Sequence, residues 1–384
     1  MNYQHLFKDC KEPNLFGRYI TNKHIEPLLE ELKNYFDVSV IGESVKKKPI
    51  YRVKIGSGKT KIYMWSQMHG NESTCTKALF DFFNFIKSDN AFAKSIKEKC
   101  TIICIPILNP DGAEVYTRVN ANEVDLNRDS VELSQPESRV VRELFNVFKP
   151  DFCFNLHDQR TIFAAGHTAN PATVSFLAPS FNEERSINDC RQKAINIIAA
   201  MNQELQKHIP NQVGRFDDSF NINCIGDMFQ SLGAPTILFE AGHFQEDYDR
   251  EETRKMIFIS YMEALRVIVE NEILVNKTDE YFNIPQNMTV FLDFIYKNVK
   301  IILDGFEKSI NFAAHYSEEL DNEEVVFKAI IRQIGGLDDN FGHYTYDFNN
   351  QLFENQEGKT PIIDSKADFI IGKHNKIVNG LLKK

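Results

Sequence analysis

From about residue 50 to residue 270, short apolar runs alternate with stretches of helical spacing. The runs are Pro49–Ile55, Lys61–Met68, Thr101–Ile107, Asp151–Leu156, Thr173–Ala178 and Pro235–Phe239. Most are apolar almost throughout, the pattern of strands covered on both faces. Between them, Leu79, Phe82, Phe83 and Ile86 share one face of a helix beginning near Ser73. Val140, Val141, Leu144, Phe145 and Phe148 stripe another, which Ser134 is placed to cap, with Pro136 in its first turn and Glu137 closing a capping box. Further helices are expected over about 189–207 and 251–270. Strands alternating with helices predict an α/β fold with a mixed, largely parallel central sheet and helices on both faces. Past residue 275 the text changes. Met288, Phe291, Leu292, Ile295, Val299, Ile302 and Leu303 keep helical spacing, and strand-and-turn text follows from Glu323. The expected organisation is a principal domain over 1–275, a helical linker over 276–320 and a small β-rich module over 321–384.

Composition narrows the class. The chain has 384 residues, 42% hydrophobic and 26% charged, with a formal net charge of −10. An acidic chain with mixed charges lacks the basic face needed for nucleic acid or for an anionic membrane. No run approaches the roughly 18 apolar residues of a membrane span, and the opening MNYQHLFKDCKEPNLFG lacks the order of a signal peptide. Seven cysteines at irregular spacing, several inside apolar runs, read as buried reduced thiols. These features together predict a cytoplasmic protein.

The candidate chemistry gathers where the runs end, the usual place for ligands in open α/β sheets. The run at 61–68 leads straight into His69-Gly70-Asn71-Glu72. His69 and Glu72 are three apart, so a helix-like turn aims both at one point. A pair of this kind also arises where a histidine merely ends a strand and a glutamate starts a helix. A second run, Phe152–Leu156, delivers His157 in the same way. Three nitrogen and oxygen donors suit one zinc ion and leave a position open for water, the catalytic rather than the structural arrangement. His167 and His243 are competitors that end no such run. Glu240 closes Pro235–Phe239; a carboxylate there is costly without a partner or a task. It reads as a general base or as a salt-bridged structural residue. Arg118, Asn127 and Arg128 lie in one loop region after Asn109-Pro110-Asp111-Gly112. They suit a carboxylate or oxyanion ligand, or a solvated loop with ion pairs.

Taken in order, HGNE at 69–72, NPDG at 109–112, RVNANEVDLNRD at 118–129, QPES at 135–138, LH at 156–157 and TILFEAG at 236–242 resemble the M14 zinc carboxypeptidase family, over about residues 40 to 245. The resemblance implies one Zn²⁺ held by His69, Glu72 and His157, with Glu240 as the catalytic glutamate. It implies that Arg118 polarises the scissile carbonyl, that Asn127 and Arg128 grip the substrate's terminal carboxylate, and that Asp125 hydrogen-bonds the first histidine. The expected substrate is a peptide, or a small amide, with a free carboxylate. Two alternatives stand beside the carboxypeptidase: an N-acyl amino acid amidohydrolase of the succinylglutamate desuccinylase or aspartoacylase kind, and an inactive binding protein on the same fold. One departure from the family is plain. No tyrosine lies between 158 and 240, where many members carry a mobile one; Arg215, Phe216 and Phe220 stand in that region. Arg215 and Arg160 are candidates for positive charge toward an acidic substrate, with an ion pair to Asp217 or Asp218 the alternative for Arg215.

Overall fold

The computed structural model describes residues 2–272, 276–354, 358 and 360–383. The chain divides into two compact units, one running to Gln159 and resuming over Ala172–Asn287, the other comprising Arg160–Pro171 and the chain from Met288.

In the first unit the strands are β1 (Asp37–Glu43), β2 (Pro49–Ile55), β3 (Thr60–Ser66), β4 (Cys100–Ile105), β5 (Phe152–Asp158), β7 (Val174–Leu177), β8 (Val213–Arg215) and β9 (Thr236–Ala241); the short β6 (Phe163–Ala165) belongs to the second unit. The sheet order is β1-β2-β4-β3-β5-β9-β7-β8. The centre is parallel across β4, β3, β5 and β9, while β1 with β2, β2 with β4, and β7 with β9 are antiparallel. The mixed, largely parallel sheet expected from the alternation is therefore present. The apolar runs are strands because both of their faces are buried. Ile62, Met64, Ile102, Cys104, Phe154 and Leu156 enter one hydrophobic cluster. Their alternates Tyr63, Trp65, Ile103, Ile105 and Cys153 enter another.

The helices are α1 (Tyr3–Cys10), α2 (Asn22–Leu32), α3 (Thr74–Lys87), α4 (Ala91–Lys99), α5 (Pro110–Val115), α6 (Pro136–Phe148), α7 (Asp189–Leu205), α8 (Ile225–Ser231), α9 (Glu251–Val269) and α10 (Thr278–Phe282). α3, α7 and α9 share the first cluster, and α6 and α8 the second. Helices thus cover both faces, which is why the strand text is continuously apolar. The capping expected of Ser134 is not the one formed. Gln135 is the N-cap of α6, Pro136 opens it, and Glu137 instead accepts from Val45 N at 3.1 Å and Asn120 Nδ2 at 3.2 Å.

The second unit corrects the helical linker over 276–320. Its strands are β10 (Asn287–Thr289), β11 (Phe291–Leu303), β12 (Phe306–Asp321), β13 (Glu324–Ile334), β14 (Phe341–Glu354), β15 (Phe369–Ile371), β16 (Asn375–Val378) and β17 (Leu381–Lys383). Seven of them form one sheet in the order β13-β12-β11-β14-β15-β16-β17. The β-rich module is real but begins near residue 288, and the only helix of the presumed linker is α10, of five residues. The misreading has a physical source. β11 lies inside the sheet, so both faces are largely buried and the two-residue alternation is hidden. A register shift between Tyr296 and Val299, where Asn298 has φ 52°, adds a residue, so Phe294, Tyr296, Val299 and Ile301 share one face and the strict two-residue alternation breaks.

Candidate metal centre

β3 ends at Ser66, and the chain reaches His69 through Gln67, whose φ of 49° lies in the left-handed region. Gln67 holds this turn by donating to Ile20 O at 2.7 Å and Gly70 O at 2.9 Å. A side chain on Gly70 would put its Cβ 2.0 Å from the Gly112 carbonyl carbon, so the HGNE and NPDG segments pass backbone against backbone. Asn109 locks the contact: Oδ1 accepts from Gly112 N at 2.9 Å, and Nδ2 donates to Met68 O at 3.2 Å. A turn with Glu72 N donating to His69 O at 3.1 Å then brings Glu72 beneath His69, just before α3. β5 delivers His157, and β9 delivers Glu240 as its direct register partner, so these residues sit side by side about 4.8 Å apart along the sheet.

His69 Nδ1 lies 2.8 Å from Glu72 Oε1, His157 Nδ1 lies 2.9 Å from Glu72 Oε2, and the two Nδ1 atoms are 3.1 Å apart. The three side chains are buried, and their donor atoms lie within 4.8 Å of one another. Two imidazole nitrogens this close either share a proton or face a common cation, and the carboxylate of Glu72 adjoining both adds the negative charge a cation would need. Tetrahedral zinc with Zn–N near 2.05 Å spaces its donors by about 3.3 Å, close to this set. The donor chemistry and spacing therefore fit zinc.

The surroundings shift the proton affinity of each donor. Burial alone would raise the Glu72 carboxyl, but the two imidazoles override it and hold its pKa well below the ordinary range. Burial would lower His69, but Glu72 and the bond to Asp125 raise it. Burial lowers His157, and Glu72 only partly offsets this. Glu240 is different. Burial, then the charges of Glu72 and Asp158, push its pKa far above the usual carboxylate value. Its Oε2 is shielded from water and has no hydrogen-bond partner. A buried carboxylate left so costly invites a role.

The loop 118–129 adds the remaining candidates. Asp125 accepts His69 Nε2 at 3.0 Å, Arg118 Nε at 3.1 Å and Asn127 N at 2.9 Å. A carboxylate on the far nitrogen fixes the ring so that Nδ1 faces the other donors. Arg118 Nη1 also lies 3.3 Å from Glu72 Oε1, while half of its side chain remains exposed. Asn127 Oδ1 accepts from Ile225 N at 3.1 Å, which leaves both amide hydrogens for other partners. Arg128 Nη1 donates to Asn127 O at 2.8 Å and to Cys224 Sγ at 3.1 Å. The QPES residues serve this loop: Gln135 and Glu137 both receive the Asn120 amide.

Other sequence candidates fall elsewhere. Arg215 packs its guanidinium over the Tyr281 and Phe282 rings, 5.4 and 5.2 Å from their centroids, and donates to Ile284 O at 3.4 Å. Asp218 pairs with Arg191 at 2.6 Å and Arg185 at 3.3 Å, so the ion pair proposed for Arg215 goes to other arginines. Arg160 and His167 belong to the second unit. Buried His243 packs against Tyr248, with centroids 4.6 Å apart and the rings tilted by 51°. Sequence reading missed Cys224 as the neighbour of Arg128 and Arg250 as a buried neighbour of Asp158. Neither stands in a periodic pattern or a recognisable motif.

Asp227, in the first turn of α8, supplies a pH test. Its pKa is pushed up to about 6 by burial, partly offset by the Asn221 N–H. The folded value is raised above the unfolded one, so the favourable protonated state is complete below about pH 4 and is lost as pH rises through 6. Asp227→Asn should therefore raise unfolding free energy near pH 7.5 by up to about 3 kcal/mol. The gain should vanish near pH 4, as read from urea denaturation at the two pH values.

Comparison with known proteins agrees with this geometry. The family model for zinc carboxypeptidase, Peptidase_M14, matches residues 21–219. Carboxypeptidase 2 of Trichophyton tonsurans is 29% identical over 137 residues, which cover 35% of this chain and 25% of that protein. The match thus spans about a quarter of that relative's length. Among solved structures, the metallo-carboxypeptidase from Burkholderia cenocepacia aligns with a TM-score of 0.53 and 16% identity, covering 66% of this chain and 70% of that one. Carboxypeptidase A from Helicoverpa armigera gives 0.51 and 16%, covering 71% and 79%. At such identities the structures establish the fold.

Proposed function

Because this chain belongs to the zinc carboxypeptidase family, we propose that it removes the C-terminal residue of a peptide by zinc-dependent hydrolysis. The observation that carries the reading is the convergence of His69, Glu72 and His157 on one point, with Glu240 beside His157 at the same strand end. His69, Glu72 and His157 would hold one zinc ion, which would supply Lewis acidity toward the attacking water and the carbonyl. Glu240 takes a proton from the attacking water at its carboxylate and passes one to the departing amine. Its raised proton affinity suits a group that must hold a proton between those two transfers. Arg118 faces the oxygen on which negative charge grows, where preorganised positive charge is most effective. Asn127 and Arg128 bind the terminal carboxylate through amide hydrogens and a guanidinium fork, placing only the last peptide bond within reach. Asp125 keeps His69 oriented. The seven free thiols fit a reducing compartment, in keeping with a cytoplasmic enzyme.

The test is a panel of peptides with free C-termini, their C-terminally amidated forms, and N-acyl amino acids, assayed with zinc supplied. Free peptides are expected to lose one residue, with amidation lowering kcat/KM by about 10-fold or more, since Asn127 and Arg128 lose their charged partner. Arg128→Ala should raise KM for free peptides and leave the amidated forms little changed. Faster turnover of N-acyl amino acids would move the assignment to the amidohydrolase reading. Zinc binding with no hydrolysis anywhere would support the inactive binding protein.

A further inference from the structure

We propose that Arg250 is a positioning residue that fixes the separation between Glu240 and the proposed ligands His157 and Glu72, acting through Asp158 and Thr74. The inference rests on the functional reading above for the roles of those three groups, though its central test does not.

Arg250 is 1% exposed and lies at the N-cap of α9 with φ 58° and ψ 36°, the left-handed region that a side chain rarely adopts. A cation at that place opposes the helix dipole, which favours negative charge at an N-terminus. The helix does not need it there, because Asp247 accepts the first N–H groups, those of Glu251 at 2.9 Å, Glu252 at 2.8 Å and Thr253 at 3.2 Å. The side chain is spent on the sheet instead. Arg250 Nη1 donates to the carbonyl of Ala241, the residue after Glu240. Nη2 donates to Gln159 O, two residues after His157, at 2.5 Å. Ala241 O also accepts from Gln159 N at 2.8 Å, so the guanidinium closes the β5–β9 ladder one pair beyond His157 and Glu240. Strand ends separate most readily where the ladder stops, and here a planar fork with fixed geometry spans both strands.

The tie extends to the third element. Arg250 Nη1 is 3.9 Å from Asp158 Oδ2. That oxygen accepts from Thr74 N at 3.0 Å and Thr74 Oγ1 at 2.6 Å, at the start of α3 and two residues after Glu72. The Asp158 main-chain N–H donates to Glu72 Oε2 at 3.1 Å. A continuous buried path thus links β9, which carries Glu240, to β5, which carries His157, and to the turn that carries Glu72. Outer groups that orient metal ligands typically govern affinity or rate by about 10- to 100-fold.

Arg250→Lys keeps the charge but cannot reach both carbonyls. Expected are a zinc affinity weakened about 10-fold, read by chelator competition, and a kcat per zinc-loaded molecule lowered about 10- to 100-fold, with KM within about threefold. A purely structural role would lower the melting temperature and leave zinc affinity and kcat per loaded molecule within about twofold, which would overturn the proposal. Should Arg250→Lys fail to fold, Thr74→Val removes one bond to Asp158 at nearly constant volume. Its zinc affinity is expected to fall about 5- to 10-fold, and an unchanged affinity would overturn the proposal. Zinc competition needs no substrate, so absence of peptidase activity in the parent would count against the functional reading while leaving this test intact.

Discussion

Glu240→Gln is expected to lower kcat on a cleavable peptide by about 10³-fold, within the range that a positioned general base contributes. Zinc affinity should stay within about threefold, because Glu240 is outside the converging donor set. KM should change little, since the amide keeps the shape of the carboxylate and loses only its ability to take a proton. The expectation follows from the state of the side chain. Glu240 is the register partner of His157, its Oε2 has no hydrogen-bond partner, and burial with two neighbouring carboxylates raises its proton affinity. Among the described residues, none forms an ion pair with it that would make it a structural member. The sign for pH follows: the base works only when ionised, so the acid limb of kcat/KM belongs to it. A kcat within tenfold of the parent would remove Glu240 from the mechanism. Loss of zinc along with activity would instead mean that the substitution had disturbed the donor set.

The largest stability effect should come from the interface of α3 with α9. Asp81 and Arg254 are both fully buried there, with Nε and Nη2 donating to the two carboxylate oxygens at 2.7 and 2.5 Å. Asp81 Oδ1 also accepts from Glu12 N at 2.7 Å, and Arg254 Nη1 from the other side reaches Leu15 O at 2.6 Å. The pair therefore pins the N-terminal segment to two core helices. Asp81→Ala leaves a guanidinium buried with reduced compensation and should cost about 3–5 kcal/mol of unfolding free energy. Replacing both partners, Asp81→Leu with Arg254→Met, should recover much of that, because the desolvation penalty disappears along with the attraction. Urea denaturation of the three variants measures this. A loss under about 1 kcal/mol for Asp81→Ala would mean that Glu251, 3.1 Å from Arg254 Nη1, carries the compensation.

Legibility in the sequence followed locality. The strands ending in His69, His157 and Glu240 were readable because burial on both faces makes them apolar without a break, and a polar residue ending such a run stands out. The loop carrying Arg118, Asp125, Asn127 and Arg128 was readable from the order of its motifs. The role of Gly70 and Gly112 was not: they are small because two backbones meet there, a contact between segments some forty residues apart. The second unit was half legible. Turn-rich text after residue 323 marked strands correctly, while the buried central strand β11 imitated a helix through one bulge.

By itself, then, the order of residues determined the alternating layers, the strand ends at which the candidate residues collect, and which residue types could act as donors, because these depend on periodicity and on neighbours along the chain. Only the tertiary structure decided that two Nδ1 atoms and a carboxylate meet within a zinc–ligand bond length, ~2 Å, of a common point, that Asp125 turns His69 toward it, and that Arg215 is occupied elsewhere. It alone also revealed Arg250, which lies ninety-one residues from the Gln159 carbonyl it holds. Such contacts are set by how distant segments pack, and packing at that range leaves no periodic mark on the chain.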